Sequence, residues 1–98
     1  MAEARVTLHW EGEGQRFRGR TQAGIEVTLD GDGKAGTSPM QTLLLSFGAC
    51  MASDIVDIMN KSRAPLTSLD VDVRGERAPE PPRRYTRITM RFEAGGVA

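Results

Sequence analysis

Between Ser38 and Val56 the chain reads Ser-Pro-Met-Gln-Thr-Leu-Leu-Leu-Ser-Phe-Gly-Ala-Cys-Met-Ala-Ser-Asp-Ile-Val, its most apolar segment. The opening is a strong helix start: Ser38 as N-cap, Pro39 at the first helical position where no backbone donor is needed, and Gln41 three residues after the cap. The helix is predicted to run to about Lys61 or Arg63, where two cations suit the negative end of its dipole and Ala64-Pro65 stops it. Its early turns, with Leu43, Leu44, Leu45, Phe47, Ala49, Cys50 and Met51, are apolar nearly all round, and only from Asp54 onward does a polar face return. A helix without a polar side must be covered on most sides. A chain of 98 residues has little else with which to cover it.

The remaining segments have strand character. Val6, Leu8 and Trp10 alternate with Arg5, Thr7 and His9; a second strand spans Arg16 to Thr21; a third puts Ile25, Val27 and Leu29 on one face. Gly12-Glu13-Gly14 and Gly24 break these runs, so an antiparallel meander is expected. After the helix, Leu69 to Arg74 alternates, Ala78-Pro79-Glu80-Pro81-Pro82 cannot enter a ladder, and Tyr85 to Glu93 alternates again with Ile88, Met90 and Phe92 inward. The order β-β-β-α-β-β predicts a single α+β domain over residues 1–98, with a sheet packed on a central helix. Gly48 inside the helix costs about 1 kcal/mol relative to Ala, which signals close approach of another backbone at that point.

Thirteen basic and thirteen acidic side chains cancel, so composition makes no electrostatic case for nucleic acid or an anionic membrane. The N-terminal residues lack the apolar core of a signal peptide and the strictly apolar runs are short, so the chain reads as cytoplasmic. The single cysteine agrees with a reducing compartment. No metal or cofactor is expected: His9 has no second His or Cys at ligand spacing, and Asp30-Gly31-Asp32-Gly33-Lys34-Ala35-Gly36 lacks the remaining ligands of a calcium loop.

Cys50 is either a buried filler or a reactive thiol. It lies about three turns into its helix, too far from the N-terminal dipole to gain much, among apolar neighbours that disfavour a charge. Activation therefore requires a cation from elsewhere. Alternation puts Arg16, Arg18 and Arg20 on one strand face, opposite Phe17; they read either as a source of that cation or as a solvated face. Asp54 and Asp57, on a helix face beyond the cysteine, read as a general base pair or as solvated carboxylates.

His9-Trp10-Glu11-Gly12, the run Gly36-Thr37-Ser38-Pro39-Met40, and a cysteine eleven residues after that proline resemble the OsmC/Ohr family of thiol-dependent peroxide reductases. Ser-Pro-Met before Leu-Leu-Leu, Asp54-Ile55-Val56, Lys61-Ser62-Arg63 and Val73-Arg74-Gly75-Glu76-Arg77 look most like its YhfA-like branch. The resemblance implies an intertwined homodimer in which two central helices pack together, wrapped by sheets of both subunits, and it makes the partner helix the natural candidate for the close approach at Gly48. It implies Cys50 as the thiol that attacks an organic hydroperoxide, with Arg18 (or its neighbours Arg16 and Arg20) as the helping cation. Met40, Gln41 and Phe47 then fall on the substrate side, although Phe47, like Trp10, Phe17 and Phe92, also reads as a core or interface residue. The acid that relatives carry directly after the helix-start proline is Met40 here, and no second cysteine is present to resolve an oxidised Cys50, so an external thiol would do so. The chain is expected to lack the C-terminal helix and closing strand of its relatives. The competing class is a non-catalytic dimeric scaffold, or a binder of small hydrophobic molecules.

Overall fold

The computed structural model describes residues 3–64 and 66–95; Met1, Ala2, Pro65 and residues 96–98, and with them the Pro65 stop and the chain ending read above, lie outside the described residues. The element order is β1 (Val6–Trp10), β2 (Arg16–Thr21), β3 (Glu26–Asp30), α1 (Pro39–Lys61), β4 (Ser68–Arg77) and β5 (Tyr85–Gly95). This is the expected β-β-β-α-β-β sequence with one long helix. The strands form two sheets, β1-β2-β3 and β4-β5, where the sequence suggested one. At the outer edge of β3 the chain turns back along that strand, with a parallel bridge between Leu29 and Thr37 and an Asp30 N–H donated to the Thr37 carbonyl at 3.0 Å. The chain divides into two compact units, Met1–Leu43 and Leu44–Ala98.

In the first unit, β1-β2-β3 is the predicted antiparallel meander. Its register sets Trp10 opposite Phe17 and Phe17 opposite Leu29, then Leu8, Gly19 and Val27 across the sheet, so one face is apolar. The other face carries His9 opposite Arg18, and Arg20 between Thr7 and Glu26. The β1–β2 turn is held by the Trp10 indole, which donates Nε1–H to the Gly14 carbonyl at 3.0 Å. Asp30, 3% exposed, organises the loop that leads to α1. Its carboxylate accepts the backbone N–H of Asp32 (2.9 Å), Lys34 (3.3 Å) and Ala35 (2.9 Å). Gly36 lets that loop close on β3, because a Cβ there would collide with the Thr28 carbonyl. Ser38 then caps α1 as expected, its Oγ accepting the Gln41 N–H at 3.2 Å and its carbonyl accepting the Thr42 N–H at 2.9 Å.

In the second unit, Leu44, Gly48, Ala52, Ile55 and Met59 recur at helical spacing and are the less exposed residues of α1. This side meets β4. Gly48 is buried, and a Cβ on it would lie 2.8 Å from Val73 Cγ2. The close approach that Gly48 permits is therefore to the β4 side chains, not to a partner helix; the helix phase turns it toward the strand. Gly75 does the same from the other side, since a Cβ there would come within 3.0 Å of Leu44 and 2.5 Å of the Tyr85 ring. The β4–β5 ladder alternates Leu69, Val71, Val73 and Gly75 with Asp70, Asp72, Arg74 and Glu76, so its outer face is charged and partly self-paired, as in Arg74 to Asp72 at 2.8 Å.

The helix ends in a Schellman motif. The Ala64 N–H reaches the Met59 carbonyl (3.0 Å), the Arg63 N–H that of Asn60 (3.1 Å), and Arg63 takes the left-handed conformation with φ 59°. By length and composition α1 could cross a membrane; its packing on β4, and the exposed Asp54 and Asp57, mark it as the core helix of a small soluble domain.

Among the described residues no apolar side chain is fully buried. Val6, Leu8, Trp10, Ile25 and Val27 stay open in the first unit, and Leu45, Phe47, Met51, Val56 and Ile58 in the second.

Candidate functional site

Cys50 lies two residues after Gly48, so when Gly48 turns to β4 the thiol turns away from it; Cys50 is exposed. Around it on that side of the helix stand Ser46 and Phe47 one turn before, and Ser53 and Asp54 one turn after, with Asp57 a turn beyond. Phe47 is 44% exposed, large enough to form an apolar wall beside the sulfur. This places an accessible thiol on a rigid helix with an aromatic neighbour and a carboxylate neighbour. Met40 and Gln41 occupy the first turn of α1, Met40 half-buried and Gln41 exposed.

Arg74, Arg87 and Arg91 of β4 and β5 do not serve Cys50 within the second unit. Arg74, Arg87 and Arg91 alternate with Val73, Ile88, Met90 and Phe92, so they project from the sheet face opposite the one α1 covers. There they pair with Asp72, Glu76 and Glu93 at 2.8, 3.7 and 3.5 Å. A shallow groove of about 260 Å³ on that outer surface, bordered by Asp70, Asp72, Arg91 and Glu93, carries both charges side by side.

Arg16, Arg18 and Arg20 do share one face of β2, as alternation predicts, and each has a carboxylate beside it in the first unit. Arg16 lies 3.6 Å from Glu13, and Arg20 3.9 Å from Glu26. Arg18 makes a two-pronged contact with Glu11, Nε–H to Oε1 at 3.1 Å and Nη2–H to Oε2 at 3.0 Å. That hydrogen bond holds the Glu11 carboxyl below its ordinary range and raises the Arg18 guanidinium further. The guanidinium is thus oriented by Glu11, and its remaining Nη1 edge is the part left to meet another group. Sequence reading missed Glu11 as the orienting residue. The signal was present in the hairpin register: His9 opposite Arg18 places Glu11, two residues on, at the diagonal.

It also missed the Asp30 knot. The Ala35 N–H, followed by that of Asp32, keeps the Asp30 carboxyl below the usual carboxylate range. With its oxygens committed to backbone donors, this residue fixes the loop before α1.

Comparison with known proteins agrees with this architecture. A family model described as OsmC-like protein matches residues 30–96. Protein YhfA of Escherichia coli (strain K12) is 35% identical over 85 residues, covering 86% of this chain and 63% of that protein, so the chain spans less than two thirds of its relative's length. The crystal structure of a hypothetical protein from Aquifex aeolicus VF5 superposes with a TM-score of 0.85 at 29% identity, over 100% of this chain and 71% of that one. An OsmC-like protein from Mycoplasma pneumoniae superposes with a TM-score of 0.82 at 17% identity, over 95% and 69% of the two chains, a likeness of fold. This chain belongs to the OsmC-like protein family.

Proposed function

We propose that this chain is a thiol-dependent redox protein of hydroperoxide-reductase type, with Cys50 as its nucleophile. The observation that carries the reading is the exposed position of Cys50 on the central helix of an OsmC-like fold, on the side turned away from β4. In the first step the thiolate sulfur attacks one oxygen of an organic hydroperoxide. The O–O bond breaks, the alkoxide leaves and takes a proton to become an alcohol, and the sulfur is oxidised to a sulfenic acid. An external thiol then condenses with the sulfenic acid and releases water, and a second thiol reduces the mixed disulfide to restore Cys50. Arg18, oriented by Glu11, is the proposed helping cation, and Phe47, Met40 and Gln41 the proposed substrate contacts.

The working unit in this proposal is a cytoplasmic homodimer. Two exposed apolar surfaces support it: the Val6, Leu8, Trp10 and Val27 face of the meander, and the Leu45, Phe47, Met51 and Ile58 surface of α1. Burying such side chains contributes roughly 1.5–3 kcal/mol each. The same surfaces favour the second reading, a dimeric scaffold or a binder of small hydrophobic molecules without redox chemistry.

Consumption of an organic hydroperoxide with a small-molecule dithiol, compared between the wild type and Cys50→Ser, tests the proposal. Turnover that depends on Cys50 is expected. Equal rates in the two proteins would leave the scaffold reading.

A further inference from the structure

We draw no further inference here: the strongest candidate, the shallow groove of about 260 Å³ on the outer face of β4 and β5 where Asp70 stands opposite Glu93 beside Asp72 and Arg91, is a cluster of exposed carboxylates on an open sheet face, and nothing in the structure points to a ligand there or shows what covers it.

Discussion

Gly48 is where the packing of α1 on β4 can be tested most sharply. Replacing it with alanine removes a helix-interior glycine, which by itself stabilises by about 0.8–1.0 kcal/mol. The new Cβ, however, would lie 2.8 Å from Val73 Cγ2, against the 3.5–4.0 Å of ordinary carbon contacts. Valine is stiff at χ1, so relief requires the helix to move away from the strand or Val73 to leave its rotamer, at about 1–3 kcal/mol. Overpacking should win, and Gly48→Ala is expected to destabilise by about 1 kcal/mol net, or 4–8 °C in Tm for a domain of this size. Truncating Val73 to alanine removes the offending methyl. The next neighbour, Val71 Cγ1, is at a comfortable 3.9 Å. In the Val73→Ala background the same glycine substitution should therefore become stabilising by up to about 1 kcal/mol, giving a coupling of roughly 1–3 kcal/mol in a double-mutant cycle. Urea unfolding followed by far-ultraviolet circular dichroism at fixed protein concentration measures all four proteins. If alanine at position 48 stabilises equally in both backgrounds, Gly48 does not mediate close packing on Val73 and the argument fails.

Three further outcomes are expected. Because hydrogen bonds from the Ala35 and Asp32 backbones depress the Asp30 pKa, its contribution is present above the ordinary aspartate value of about 3.9 and is lost as pH falls below it through the folded-state value. Asp30→Asn should thus lower Tm at neutral pH, with the gap to wild type closing on acidification; a pH-independent gap measured by thermal unfolding would contradict this. Arg63 holds a left-handed conformation that costs a side-chain-bearing residue about 1–2 kcal/mol, partly offset by its favourable charge at the helix end, so Arg63→Gly should raise Tm by a few degrees. Leu8→Glu puts a charge in the middle of the open apolar face of the meander, and sedimentation should show the expected dimer giving way to monomer; a wild type that is already a stable monomer at micromolar concentration would refute the dimer.

Local chemistry made much of this fold readable. Ser38-Pro39 and Gln41 located the start of α1 to the residue, because an N-cap and a proline act through their own backbone and side chain. Strict alternation located β1, β4 and β5 for the same reason. What periodicity does not carry is which strands pair, so the division into β1-β2-β3 and β4-β5 was not foreseeable from it. Gly48 announced a close approach without naming its partner, since the missing Cβ looks the same whether a helix or a strand occupies the space. Asp30 read as an ordinary loop carboxylate because its three acceptor contacts exist only once Gly33 and Gly36 have bent the loop around it. Arg63 carried no sign of its left-handed backbone, which glycine usually advertises at that position. For the candidate site, Cys50 was singled out by the position it shares with the family it resembles, whereas Glu11 depended on hairpin register.

The central claim, that Cys50 is a reactive thiol and not an inert filler, is tested most directly by trapping its first oxidation product. Treating the native chain with one equivalent of an organic hydroperoxide in the presence of a dimedone-type reagent, then mapping peptides by mass spectrometry, should place the sulfenic acid adduct on Cys50 within seconds, well ahead of a urea-denatured control. Adduct formation no faster in the native protein than in the denatured one would contradict the account.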